Sequence, residues 1–293
     1  MKRKLVKQGA ATLMVSLPSK WIRQNKLDKG DEVSLEEDNQ NLVIKVSEET
    51  KKEQKAKIDV SDFFPLTNVV LIDLYIKGVD ELEITFDKPE IVQDYQKRTI
   101  NELIGFEIIK QTHNSILLKD ITGESSQEID AIIKRIFFII NSMVEELIEA
   151  IEKKQSMGPI IDIDTSVNKF VNFCLRILNK RGYPENKKTT HFYGIVRQLE
   201  EVGDSYKEIA EAIKNGEKTD KNQLEIIRET RKFLEIFQEA LFSYTQEKAV
   251  EFARKYESLK LKIKDKSPMD FLILNLIKSI IQMNHHLLVM NLP

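Results

Sequence analysis

The spacing of apolar residues changes character along the chain. Over the first 46 positions it alternates with a period of two, the mark of a strand with one face inward. Arg3–Gln8 and Thr12–Leu17 read as strands on either side of Gly9, and Glu32–Leu35 and Leu42–Val46 as a second pair around the turn Asp38–Asn41. Between the pairs stands Pro18, where a first helical turn accepts proline because its missing N–H has no intrahelical partner there. SKWIRQNK then makes a short helix with Trp21 and Ile22 inward, and Lys29-Gly30-Asp31 is a turn. Residues 47–57 hold one apolar side chain, Ala56, and read as a solvated linker. Residues 58–121 mix both periods. A helix over Thr67–Lys77 is closed by Gly78, and a strand runs Leu82–Phe86. A helix runs from Lys88-Pro89 to about Leu103, and Phe106–Lys110 with Ser115–Lys119 form a hairpin.

After the turn signal Thr122–Ser125 the repeat becomes helical to the C-terminus. One stripe runs Ile129, Ile132, Ile133, Ile136, Ile140, Met143, Val144, Leu147 and Ile151, and a second Val167, Val171, Cys174, Leu175 and Leu178. The third, Ile195 to Ile213 by way of Leu199, Val202, Tyr206 and Ile209, ends at Asn215-Gly216. Leu224 to Leu241 marks a fourth helix, Lys248–Lys262 a fifth, and Phe271 to Ile281 a sixth begun by Pro268. Six helices with short connections predict a bundle, arranged as three plus three.

Composition adds bounds. The 293 residues suffice for about two domains, and 41% hydrophobic with 31% charged residues is a soluble globular balance. One cysteine rules out an internal disulfide framework and suits a reducing, cytoplasmic setting. Met269–Met290 is apolar but holds Lys278, Gln282, His285 and His286, so no membrane-spanning segment is expected. The net charge of −2 conceals a polarity. Residues 1–30 carry eight basic side chains against Asp28 alone, and residues 31–50 carry seven acids against Lys45. Such an end attracts polyanions, although a basic N-terminus can also simply aid solubility. Some 46 residues with four short strands are too few to close a core, so an obligate homodimer is expected through this segment.

The run from Val6 to Ile44 resembles the SpoVT/AbrB/MazE family of swapped-hairpin DNA-binding domains. The likeness lies in the basic first strand, the strand ending Ser16-Leu17-Pro18, the helix, the turn with Leu27, Gly30 and Asp31, and the strand Leu42-Val43-Ile44. The resemblance implies an interlocked homodimeric β-barrel with its basic face on DNA. It places Lys4, Lys7, Gln8, Thr12 and Ser16 at contact positions, and the adjoining Lys2, Arg3, Lys20 and Arg23 complete the candidate DNA-binding set. The alternative is that this module only dimerises the chain.

In the helical half, Glu200, Asp204 and Glu208 recur at i, i+4 and i+8 beside the apolar stripe, and Gly203 interrupts the helix. Glycine there costs roughly 1 kcal/mol relative to alanine, so a close helix crossing or room for a ligand should offset it. A carboxylate ledge of this kind suits hard or oxygen-preferring cations; a solvated acidic face beside Lys207 is the competing reading. Residues 126–290 resemble PhoU-like helical bundles on the Glu-x-x-Gly-Asp run. By that resemblance Glu200, Asp204 and Glu208, with Asp164 and Asn168 on the partner helix, are candidate ligands for a divalent or ferric ion. The last helix keeps no such carboxylate pair, so at most one metal site is expected, in the first repeat.

Cys174 reads as a core residue, His113 as a turn residue and His191 as a cap or surface residue. His285 and His286 are adjacent and cannot chelate jointly. Arg176, Lys180 and Arg181 read as solvating a helix end, with phosphate as the alternative.

The expected fold class is therefore multidomain α+β. It comprises a dimeric swapped-hairpin barrel (1–46), a linker (47–57), a small α/β connecting unit (58–121) and an all-α PhoU-like bundle of two three-helix repeats (126–290). Together the resemblances imply a non-enzymatic, DNA-binding regulator of phosphate uptake in an archaeal cytoplasm. The rival is an adaptor that dimerises through its first domain and docks on a phosphate-transporter ATPase. A metal-dependent enzyme built on the carboxylates lacks a visible general base or nucleophile.

Overall fold

The computed structural model describes every residue except 1, 39–40, 47–52, 89, 91–98, 123–127, 265 and 293, and gives the backbone alone for 36–38, 41 and 45. It divides into two units, residues 1–54 and 55–293.

In the first unit the alternating segments form two hairpins. β1 (Val6–Gln8) pairs antiparallel with β2 (Thr12–Met14) in the register Val6↔Met14, Lys7↔Leu13, Gln8↔Thr12. Gly9, at φ +78°, supplies the left-handed residue that the turn between them requires. α1 (Ser19–Gln24) follows Pro18, and the Asp28 N–H donates to Asp31 Oδ2 at 2.7 Å to close the next turn. β3 (Val33–Asp38) and β4 (Asn41–Val46) make the second hairpin. Both hairpins are two-stranded sheets, so among the described residues one chain closes no barrel. The expected swapped-hairpin barrel is thus not formed within the single chain. The reason is visible in the side chains: none of those described in this unit is buried, with Leu5 63% and Leu13 61% exposed.

The second unit starts from a sheet with a clean division of faces. β5 (Lys55–Asp59), β6 (Glu81–Thr85), β7 (Phe106–Gln111) and β8 (Ser115–Asp120) take the order β5-β6-β8-β7. β5 runs parallel to β6 through α2 (Thr67–Ile76); the other pairings are antiparallel. The register aligns Ile58, Ile84 and Ile116, and likewise Ala56, Leu82 and Leu118, across the inner face. Lys55–Glu81 and Lys57–Glu83 ion pairs, each 2.8 Å, lie on the other. The expected linker over 47–57 therefore ends early: its last three residues open β5, where Ala56 supplies an inward position. Residues 47–52 and most of the helix expected from Lys88 to Leu103 lie outside the described residues. Ile100–Glu102 form a 3-10 turn.

The six apolar stripes become α3 (Ile129–Lys153), α4 (Gly158–Arg181), α5 (Thr189–Lys214), α6 (Lys221–Phe242), α7 (Gln246–Lys262) and α8 (Pro268–Asn291). Helices α3, α4 and α5 pack on one another, as do α6, α7 and α8, and the two sets meet chiefly along α5 and α8. Cys174 is fully buried among the core residues. The starts of α6 and α8 carry capping boxes, Asp220 with Gln223 and Ser267 with Asp270. These boxes are tied together, because Gln223 Nε2 donates to Ser267 Oγ at 3.0 Å and to Asp270 Oδ1 at 2.8 Å.

Sheet and bundle fall within one compact unit, residues 55–293. Arg176 of α4 explains why. Its side chain is 0% exposed. Nη1 donates to the carbonyls of Tyr75 and Val79 at 2.8 and 2.7 Å. Nη2 donates to Asp80 Oδ1 at 3.1 Å and to Asp120 Oδ2 at 2.7 Å. The guanidinium also lies 4.8 Å from the Tyr75 ring and 5.2 Å from the Phe106 ring. Lys180 pairs with Asp80 too, and Gly78, at φ +97°, leaves room for its stem: a Cβ there would meet Lys180 Cγ at 2.4 Å. Arg176 and Lys180 thus do not solvate a helix end as expected; they bind the sheet.

Removing one partner of a buried, hydrogen-bonded charge leaves the other unpaired. Arg176→Met is expected to destabilise the second unit by about 3–5 kcal/mol in urea unfolding. Arg176→Lys should recover little, since an ammonium cannot present a planar fork to four acceptors.

Candidate functional site

Two regions collect the residues singled out by the sequence. The first is the N-terminal hairpin and its flanks. Lys7, Gln8 and Thr12 lie on β1–β2, with Gln8 opposite Thr12 and Lys7 opposite Leu13. Strand alternation puts these two pairs on opposite faces. Lys2, Arg3 and Lys4 precede the hairpin and Ser16 follows it in extended chain, while Lys20 and Arg23 stand at i, i+3 on α1. All nine are exposed, and the Arg23 Nε–H donates to the Ser19 carbonyl at 3.3 Å. The hairpin therefore carries cationic and apolar side chains together, with Leu5, Val6, Leu13, Met14 and Val15 also exposed.

The second region is the carboxylate ledge between α4 and α5. Gly203 sits at a close crossing, where a Cβ would stand 3.1 Å from Val167 Cγ1, so the glycine admits a neighbouring helix and not a ligand. The crossing brings Asp164 and Asp204 to one cation, which the chain supplies itself. Lys207 Nζ donates to Asp164 Oδ2 at 2.7 Å and to Asp204 Oδ1 at 2.9 Å. Asn168 Nδ2 donates to Asp164 Oδ2 at 3.3 Å, and Glu200 accepts from Arg197 Nη1 at 2.7 Å. Glu208 points to solvent.

Burial pushes the Asp164 carboxyl above its ordinary range, against the pull of Lys207. Burial likewise raises Glu200, with Arg197 opposing and Asp204 adding to the rise. Burial disfavours the charged Lys207, but its hydrogen bonds to the two aspartates prevail and hold the ammonium. Among the described residues no three His, Cys, Asp or Glu side chains converge as a metal set. The five expected ligands therefore do not fit a metal centre as they stand. An ammonium takes the cation's place, one carboxylate is turned to an arginine and another to solvent. Asp164 Oδ1 and Asn168 Oδ1 are buried without a hydrogen-bond partner, so the ledge is not fully satisfied by Lys207.

Two members of this cluster escaped the reading of the sequence as site residues. Lys207 stands three positions after Asp204, a spacing that puts the pair on one helix face and could have flagged it. Glu102, on the 3-10 turn, lies within electrostatic range of the ledge. Burial and then Asp164 raise its carboxyl, while Lys207 lowers it. No local pattern marks it, since it comes from another part of the fold.

Comparison with known proteins bears on the first region. The family described as antidote-toxin recognition MazE, bacterial antitoxin, matches residues 6–55. The first unit thus carries a MazE/AbrB-type domain, which is consistent with DNA-binding regulation and with association of copies. No characterised protein and no solved structure matches the chain. Among the described residues no helix is long and apolar enough to cross a membrane.

The ledge has a pH signature. Glu102, Asp164 and Glu200 titrate higher folded than unfolded, so between their ordinary and raised values the folded state holds more protons. Their contribution to stability is then largest at low pH and declines as pH rises through that window. Glu102→Gln with Glu200→Gln removes two of the three. Urea midpoints of this double variant are expected to rise relative to wild type as pH increases from mildly acidic to neutral. A difference independent of pH would contradict the assignment.

Proposed function

We propose that the protein is a DNA-binding regulator whose active form is a homodimer. Two MazE/AbrB-type heads interleave their hairpins into a shared barrel and present paired basic edges to a duplex. The observation that carries this reading is the head itself: a family-matched segment in which Val6, Leu13, Leu35 and Leu42 are exposed on the strands and the basic run Lys2, Arg3, Lys4 and Lys7 leads into the first hairpin. Fully burying one Leu or Val contributes about 1.5–3 kcal/mol. Covering Leu5, Val6, Leu13, Leu35 and Leu42 with a second copy is therefore a strong drive to pair, and pairing doubles the cationic surface.

The contact set is Lys2, Arg3, Lys4, Lys7, Gln8, Thr12, Ser16, Lys20 and Arg23. The lysines and arginines neutralise phosphates, and Gln8, Thr12 and Ser16 offer hydrogen bonds toward base edges or phosphate. Ser16 cannot make the bidentate guanine contact of an arginine, so specificity leans on the other positions and on duplex shape. The helical body serves as a PhoU-like sensory or adaptor module, non-enzymatic, in control of phosphate uptake in the cytoplasm. A transporter ATPase is its further partner. Two packed sets of three helices and the acidic Glu-x-x-Gly-Asp run support the PhoU-like part of this reading. A coupling of about 1–3 kcal/mol between bundle and head suffices for regulation.

Binding of the full chain to duplex DNA, followed by fluorescence anisotropy across a salt series, tests this. Affinity should fall steeply with salt, with a log–log slope of about −0.9 per phosphate neutralised. Lys4→Ala with Lys7→Ala, which removes up to two lysines from each head, should reduce the magnitude of that slope by about 2–4. Full-length dimer that binds no duplex at low salt would reassign the head to assembly alone.

A further inference from the structure

Three of the four histidines gather where α5 meets α8. His191 lies in the first turn of α5 and His286 near the end of α8, 95 positions apart in the chain. Their Nδ1 atoms face each other at 3.4 Å, with ring centroids 5.6 Å apart. The contact is a long, nearly head-on hydrogen bond between two imidazoles.

Its surroundings hold it in place. Phe192, next to His191, is buried and stacks on Tyr183, while Met283 and Leu287 are buried on either side of His286 along α8. The far edge of the His286 ring lies against the backbone of α5. A Cβ at Gly194 would stand 2.3 Å from Nε2 and 2.4 Å from Cε1. Glycine is a poor helix residue, and this approach accounts for its place inside α5.

Proton counting sets a limit on the contact. A hydrogen bond between facing nitrogens needs one N–H and one lone pair, so one Nδ1 carries a proton and the other does not. A first added proton goes to Nε2 of the donating ring and leaves that arrangement intact. A second has only the accepting Nδ1 to take. It sets two N–H groups and two positive charges face to face, and the bond is lost. Nothing nearby offsets that charge. His191 faces His286 from α5, and His285 lies 5.9 Å away on α8 itself. Among the described residues no carboxylate or further cation from α5, α6 or α7, the helices that pack on α8, acts on His286. Burial first, then His191 and His285, makes His286 harder to protonate than a free imidazole.

We infer that His191 and His286 form an acid-sensitive clasp across the seam between the two sets of three helices. The clasp is closed while the facing nitrogens share one N–H, and it opens when the second proton arrives. Opening releases the first turn of α5 from the last turns of α8. The clasp is separate from the carboxylate ledge and independent of the DNA-binding reading. Its pH dependence also has the opposite sign to that of the ledge. The unfolded chain takes a proton at His286 before the folded chain does, so stability is lost as pH falls through the ordinary imidazole value.

Full-length protein with labelled histidine, followed by NMR from about pH 8 to about pH 5, gives the first test. His191 and His286 should titrate in two separate steps, and His191→Gln should shift the His286 midpoint upward. Urea midpoints of wild type and His286→Gln over the same range give the second. Both chains carry the ledge, so its contribution cancels, and the variant should gain on wild type as pH falls. Hydrogen exchange gives the third: the ratio of wild-type to variant exchange rates in the last turn of α8 should rise toward acid. Titrations that are unchanged by substitution of the facing histidine overturn the clasp. So does a difference in urea midpoint, or an exchange ratio, that stays constant with pH. If His286→Gln fails to fold, His191→Gln takes its place in the second and third measurements, with the same outcomes deciding.

Discussion

A single guanidinium decides that the chain from residue 55 onward is one body. Arg176 satisfies two carbonyls in and just after α2 and two carboxylates at the ends of the central strands β6 and β8, from a helix that otherwise belongs to the bundle. A charge with no solvent exposure is tolerable only with such complete pairing, and its partners are correspondingly constrained. Asp120, whose side chain is 4% exposed, accepts from Arg176 through Oδ2 and from the Thr122 N–H and hydroxyl through Oδ1. Gly78 and the aromatic pair Tyr75 and Phe106, with centroids 5.0 Å apart, shape the space around these cations. The α/β layer is therefore better understood as a platform fixed to α4 than as a separate connecting domain.

The two units of the protein embody opposite solutions to the problem of a small core. The body buries long stripes on α3 to α8 and even encloses polar groups such as Asp164 and Thr230. The head encloses nothing by itself. Its hairpins alternate as strands should, Gly9 turns the first of them, and Val6, Leu13, Leu35 and Leu42 still stand in water. Secondary structure there is local, and tertiary packing within the described residues of the head is sparse. The ledge shows a similar division between local pattern and tertiary outcome. An i, i+4, i+8 row of acids is a neutral fact until the facing helix is known, and here it meets an internal ammonium.

Much of the fold was legible in the sequence because it rests on short periods. The six long helices follow the 3.6-residue stripes, Gly78 and Gly216 sit at positive φ just beyond helix ends, and the strands alternate as their residues do. What was not legible depends on residues distant in the chain. Arg176 looks like an ordinary cation near a helix C-terminus until the sheet closes on it. Glu102 feels the charge of Asp164 from a distant stretch of chain, and His191 and His286 meet only because α5 and α8 pack together. Gly203 announced an anomaly but not its cause; the neighbouring Val167 gives it. For the head, the resemblance was legible in the basic first strand, the Ser16-Leu17-Pro18 strand end and the Leu27, Gly30, Asp31 turn, and a family match over residues 6–55 agrees with it.

The joined capping boxes at Gln223, Ser267 and Asp270 carry a consequence for how the second helical set opens. One amide side chain is shared by the beginnings of two helices, and Asp270 is held below its ordinary carboxylate range by the hydrogen bonds that overcome its burial. Neither helix can unwind its first turn without taking a partner from the other. The two starts behave as one latch, so backbone amides near residues 223 and 270 should exchange with solvent in a common event, while the opposite ends of α6 and α8 fray on their own.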